Sequence, residues 1–295
     1  MKASKIIIMS VLAILTLSLL IFTTSKTKVD AISHKGTPLY FPPTANFCGE
    51  IAPLDIADVR ERFDRELLVN ANLHSSTLLI LKRANRAFPV IEPILKRNNI
   101  PDDFKYLAVI ESALINATSP AGAKGIWQFM PDTAREKGME VSDFVDERYH
   151  LEKSTEAACK YLTNAKNKFG SWTLAAASYN GGMLGIQKQI DFQKVNNYYD
   201  LLLIEETHRY VFRILALKEI MKNPKDFGFE IQPKDLYHPV PTQKIMIDSS
   251  ITDLAAFAKT QNVNYKILKL HNPWLRERKL PNVTRKQYVL ELPID

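Results

Sequence analysis

The stretch Phe104-Lys105-Tyr106-Leu107-Ala108-Val109-Ile110-Glu111-Ser112-Ala113-Leu114-Ile115 reads as one helix, opened by Asp102 and Asp103, whose negative charge suits a helix N-terminus. Counting three, four and seven positions on from Phe104 gives Leu107, Ala108 and Glu111, so the one carboxylate in the middle of this helix falls on its apolar face. No basic residue stands three or four positions away to pair with it. Desolvation disfavours the charged form of a carboxyl group, so Glu111 is expected to hold a proton near neutral pH, as a general acid must. The competing reading is a glutamate at the rim of a core that reaches water or meets a distant arginine.

Two further stretches bear on that choice. After the turn-rich Ser119-Pro120-Ala121-Gly122 comes Gly125-Ile126-Trp127-Gln128-Phe129-Met130-Pro131, which joins permissive backbone, two aromatics and an amide. Ser171 to Gly182 (SWTLAAASYNGG) ends a helix in a polar loop opened by glycines. Aromatic faces and amides suit sugar recognition, while Trp127 and Phe129 as core and Asn180-Gly181 as a helix stop are the ordinary readings.

Outward from these motifs, residues 51 to about 223 show apolar residues at three and four spacings, with Gly138 and Gly170 placed like helix stops, which predicts one mainly α domain. Residues 24 to 50, with Gly36, Pro38, Pro42 and Pro43, read as a linker without a fold of its own. Pro233, Pro239 and Pro241 mark a second boundary. Beyond it Lys244 to Asp248 reads as a strand, and Ser250 with Asp253 as a capping box opening a helix through Leu254, Phe257 and Ala258. A second short helix carries Ile267, Leu268 and Leu270, and Gln287 to Leu292 alternates like a closing strand.

At the N-terminus, Lys2 and Lys5 precede an uncharged apolar run, Ile6 to Phe22, in the charge order of an export signal. Cleavage near Thr23-Thr24-Ser25 and retention as a membrane anchor both fit its length, with the anchor slightly favoured. The net charge of +7 suits an anionic partner without choosing one; zinc-finger spacing and a glycine-rich phosphate loop are both missing from the sequence, so nucleic acid is not expected. Cys48 and Cys159 are the only cysteines and could form one bridge or stay as buried thiols. The six histidines lack ligand spacing, so neither a metal nor another cofactor is expected.

The order Glu111-Ser112, then G-I-W-Q-F-M-P at 125–131, then S-Y-N-G-G at 178–182, then Glu206-Thr207-His208-Arg209-Tyr210-Val211 resembles the soluble-type (family 1) lytic transglycosylases across about residues 50 to 225. The resemblance implies a mainly α, lysozyme-like fold, peptidoglycan glycan strands as partner, and Glu111 as the catalytic acid/base. It further implies Ser112 as the neighbour that hydrogen-bonds the catalytic carboxyl, Gln128 and Met130 as cleft lining, Tyr179 and Asn180 around the reacting sugar, and Tyr210 facing the carboxyl. Ser178 and Ile204 depart from the usual Ala and Pro of that family. The last 55 residues or so resemble a LysM module, a small peptidoglycan-binding α+β fold, but lack the Gly-Asp turn with which such modules usually open.

The expected organisation is therefore a signal peptide or anchor at 1–25, a linker at 26–50, a catalytic domain at 51–225 with its motifs within 101–215, a linker at 226–242 and a LysM-like module at 243–295. The reaction implied is non-hydrolytic cleavage of the N-acetylmuramic acid–N-acetylglucosamine bond, outside the cytosol. A hydrolase on the same fold would need a second carboxyl, from Asp146, Glu147, Glu205 or Glu206. A non-catalytic wall-binding scaffold is the third reading.

Overall fold

The computed structural model describes residues 39–294; the apolar run at 6–22 and the anchor expected there lie outside them. Among the described residues, no helix is long and apolar enough to cross a membrane.

The chain opens with a hairpin, β1 (Ala45–Phe47) and β2 (Glu50–Ala52), paired antiparallel with Phe47 opposite Glu50. Cys48 and Gly49 form its turn with φ of 55° and 87°, the left-handed pair that two-residue hairpins require. Residues 39–50 are thus not the structureless linker expected from their prolines. Phe47 is fully buried, edge-on to Phe104 at 5.1 Å. The Cys48 amide donates to Asp103 at 2.7 Å, and Lys218 bridges Asp103 and the Asn46 carbonyl. Burying one such phenylalanine stabilises by about 1.5–3 kcal/mol, which adds to these polar contacts in offsetting the entropy of ordering the hairpin.

Among the described residues the α-helices then run from α1 (Ala57–Asn72) and α2 (His74–Arg97) through α3 (Lys105–Ser112), α4 (Pro131–Glu136), α5 (Leu151–Phe169), α6 (Trp172–Gly181) and α7 (Met183–Gln193), and α8 (Glu205–Lys222) closes the body. Between α3 and α4 a second hairpin, β3 (Ala117–Thr118) and β4 (Lys124–Gly125), interrupts the helical reading. α8 lies at the centre, burying Tyr210, Val211, Phe212, Ile214, Leu215 and Ala216 against α1, α3 and α6. α6 is apolar around most of its circumference, as a helix buried on all sides must be. Its Ala175-Ala176-Ala177 run and Gly181 permit close approach: a Cβ on Gly181 would sit 3.1 Å from the Thr207 side chain. Its N-terminus is capped by the Glu50 carboxylate, which accepts from the Trp172 and Thr173 amides at 2.6 and 2.9 Å. Burial pushes that carboxyl up, but these bonds and those from the Thr173 and Ser171 hydroxyls hold it below its ordinary range.

The C-terminal residues fold as β5 (Thr242–Ile247), α9 (Leu254–Thr260), α10 (Tyr265–His271) and β6 (Tyr288–Pro293), with β5 and β6 antiparallel. This is the strand-helix-helix-strand order read from the sequence. One detail differs: Asp253 alone caps α9, accepting from the Ala255 and Ala256 amides, while Ser250 accepts instead from Asn282. Leu254, Leu268, Leu275, Leu280, Leu290 and Leu292 form a second core that also takes in Val145 and Tyr149 of the helical body. Cys48 and Cys159 are both free thiols.

Candidate active site

α3 ends at Ser112, three residues earlier than its apolar periodicity predicts, which places Glu111 in the last turn instead of mid-helix. Ala113 and Leu114 then take left-handed backbone in succession, with φ of 51° and 59°. Each such non-glycine residue costs of order 1–3 kcal/mol and persists only where its surroundings over-determine it. Here the last carbonyls are held by side chains from other helices: Arg213 of α8 donates to the Ile110 oxygen at 3.1 Å, and Arg83 of α2 to the Ala113 oxygen at 3.2 Å.

Glu111 is half-buried, and burial pushes its carboxyl from 4.5 up to about 7. A hydrogen bond donated by the Tyr210 hydroxyl and the positive charge of Arg213 pull it down, and the Glu206 carboxylate pushes it up. The carbonyl end of a helix also disfavours an anion there. A carboxyl poised near neutrality can give up a proton and then recover one. Arg213 is thus the distant arginine of the competing reading, but it approaches without forming an ion pair, and the carboxyl stays raised.

The Gly125 to Met130 segment folds back under this helix end. Ser112 is buried, and its hydroxyl donates to the Ile126 oxygen at 2.8 Å, not to the Glu111 carboxyl as the sequence resemblance implied. Its position at the foot of the helix leaves that hydroxyl facing the Gly125–Met130 loop. The Trp127 indole donates to Thr155 at 2.8 Å, and the Tyr179 hydroxyl to the Trp127 oxygen at 2.8 Å. Gln128 adopts left-handed backbone, φ 49°, and its amide donates to the Gly125 and Ala117 oxygens at 2.7 and 3.2 Å. Gly125 has φ +84°, and a Cβ there would lie 1.9 Å from the Arg148 carbonyl oxygen, so only glycine fits. Met130 is exposed at the far end of the loop, where it caps α4 ahead of Pro131.

On the other side, Asn180 donates to Glu206 at 3.1 Å and accepts from Thr207 at 2.7 Å, joining the end of α6 to the start of α8. Glu111 and Tyr210 are in direct contact; Ser112, Gln128 and Tyr179 join them through the backbone of the Gly125–Met130 segment, and Asn180 through Glu206. Sequence reasoning missed Arg83, Arg148 and Arg213. Arg213 stands one turn beyond Tyr210 on α8, a spacing that could have flagged it.

Residues 88–201 match the transglycosylase SLT domain, and residues 243–295 match the soluble lytic transglycosylase C-terminal LysM-like domain. The chain carries an SLT domain. Glu111, the Gly125–Met130 segment, Tyr179 and Asn180 all fall inside it, whereas Tyr210 and Arg213 lie beyond its matched end. Proteins from two strains of Escherichia coli, each called membrane-bound lytic murein transglycosylase D, are 31% identical over 238 residues, covering 79% of this chain and 51% of theirs. The chain thus spans about half the length of the curated relatives it matches. A solved structure of an inactive mutant of the lytic transglycosylase Slt from Pseudomonas aeruginosa shares 18% identity at a TM-score of 0.37, over 51% of this chain and 26% of that one.

Proposed function

We propose that this chain is a peptidoglycan lytic transglycosylase with Glu111 as its single acid/base. The observation that carries the reading is the Glu111 carboxyl, raised to about 7 and touched by Tyr210, within an SLT domain. Protonated Glu111 gives its proton to the oxygen linking N-acetylmuramic acid to N-acetylglucosamine, and the substrate's own acetamido group assists departure. The resulting carboxylate takes the proton of the muramoyl C6 hydroxyl, whose oxygen closes a 1,6-anhydro ring on C1. Proton and bond counts balance without water, with one C1–O bond broken and one formed, so the reaction is an intramolecular transglycosylation and not a hydrolysis. Ser112, Gln128, Met130, Tyr179, Asn180 and Tyr210 are proposed as the groups that shape the cleft around the sugar and hold the carboxyl.

The occupancy of the other carboxylates supports a one-carboxyl mechanism over hydrolysis. Asp146 is buried in a bidentate pair with Arg148, and Glu147 is buried against Lys153 and the Glu140 amide. Glu205 projects into solvent beside Arg209. Glu206 remains near Glu111 but is exposed and tied to Asn180. We further propose residues 51–225 as the catalytic unit, 243–295 as the LysM-like module, and residues 6–22 as the segment that holds the protein at the outer face of the cytoplasmic membrane. Mass analysis of products released from purified sacculi tests the reaction. Anhydro-ended products support it; reducing-ended products, heavier by one water, point to a hydrolase, and no released product points to a wall-binding scaffold.

A further inference from the structure

Arg148 is buried, and its guanidinium is fixed by Asp146, with Nε to Oδ1 at 2.9 Å and Nη2 to Oδ2 at 2.8 Å. Its remaining nitrogen, Nη1, donates to the Gly122 and Phe129 carbonyls, both at 3.1 Å. One side chain therefore clips together the two ends of the loop that contains Gly125 and Gln128. The Arg148 carbonyl is also the surface on which the Gly125 Cα rests. A planar fork held by two carboxylate oxygens is a rigid clip, which a lysine could not reproduce.

Lys124 and the Val141–Asp146 bridge hold this segment from within the helical body, and the C-terminal module holds it from the other side. The Asp146 amide donates to the Trp274 carbonyl at 2.9 Å and the Arg276 amide to the Phe144 carbonyl at 2.9 Å, a one-rung bridge in which Val145 faces Leu275. The Arg276 guanidinium lies 4.1 Å over the Tyr149 ring, and the Tyr149 hydroxyl is 3.0 Å from the Thr118 hydroxyl on β3. Trp274 stacks on His150, and burial pushes that imidazole down to about 4, so it stays neutral in the stack near pH 7. The module core encloses Val145 and Tyr149, so residues 144–149 are shared between the module and the cleft loop.

We propose that the C-terminal module is a positioning element of the active site, holding the loop of residues 117–130 through Asp146, Arg148 and Tyr149. The proposal rests on the catalytic reading above for its kinetic arm only. Arg148 and Arg276 are positioning residues, since neither is placed at the substrate. A module that merely anchors the enzyme to the wall would raise local concentration on sacculi and leave cleavage of a short soluble glycan unchanged.

The test uses the full chain and two variants at the bridge, Arg276→Pro, which removes the amide donor to Phe144, and the milder Arg276→Ala, together with Arg148→Lys in the clip. Hydrogen exchange of amides 117–130 is followed by mass spectrometry, and turnover is measured on a soluble tetrasaccharide of alternating N-acetylglucosamine and N-acetylmuramic acid. Exchange in the loop is expected to rise in all three, with kcat lowered about tenfold to hundredfold, KM within about threefold, and sacculus binding retained. Unchanged loop exchange in folded Arg276→Pro and Arg148→Lys proteins would overturn the proposal, as would loss of sacculus binding with normal kcat. If the wild-type chain cleaves nothing, the catalytic reading fails while the exchange arm still decides the coupling.

Discussion

Replacing Glu111 by glutamine should stabilise the protein while abolishing turnover, and the gain should depend on pH in one direction only. The folded-state carboxyl titrates at about 7 against an ordinary value of 4.5. Between those values the folded protein keeps a proton that the unfolded chain has released, so stability falls as pH rises through that window and levels off above it. The gap, 7 minus 4.5, at about 1.36 kcal/mol per pH unit sets a ceiling of roughly 3.4 kcal/mol; partial exposure of the side chain lowers this to about 1–3 kcal/mol. Glutamine is neutral at every pH and keeps an oxygen to accept from Tyr210. Thermal unfolding of both proteins should therefore show Tm higher by several degrees for Glu111→Gln at pH 8 and nearly equal at pH 4. A gain of the same size at both pH values, or a loss at pH 8, would refute the burial argument for Glu111.

Tyr210→Phe removes a donor that favours the charged carboxyl, so Glu111 should climb above 7 and the alkaline limb of kcat/KM on soluble glycan should move up by about one pH unit. An unmoved limb would mean that another group limits the rate. Gly125→Ala would drive a methyl group into the Arg148 carbonyl at a backbone angle that alanine avoids; we expect a loss of at least about 2 kcal/mol in urea unfolding and loss of activity, with wild-type stability as the contrary result.

The parts of the fold that could be read from the sequence are those with local signals. Helix periodicity, Gly170 as a left-handed stop after α5, and the alternation of the closing strand each lie within a few residues of the feature they specify. What escaped reading depends on partners far along the chain. Nothing local to Ala113 and Leu114 announces the end of α3, because Arg83 and Arg213 hold it there from α2 and α8. Residues 39–50 look like a linker by composition, yet Phe47, Glu50 and the Cys48 amide each find a partner more than 50 positions away. Ser250 looked like half of a capping box until Asn282 claimed it.

The same distinction separates two kinds of residue within the site. Ser112, Gln128, Tyr179 and Asn180 all have side-chain hydrogen bonds to the protein itself, three of them to backbone carbonyls of the segment from Ala117 to Trp127. Ser112, Gln128 and Tyr179 thereby also hold a strained backbone in place, while Asn180 joins the end of α6 to the start of α8. Glu111 differs in kind: among the described residues its only side-chain hydrogen bond is the one from Tyr210, and a second oxygen is left for a ligand. Preorganisation of this sort puts the strain and the polar bonds in place before substrate arrives, so that proton transfer at Glu111 requires little further rearrangement. It also makes the site sensitive to distant supports such as Arg148, since a loop held at a few points moves when any one is lost.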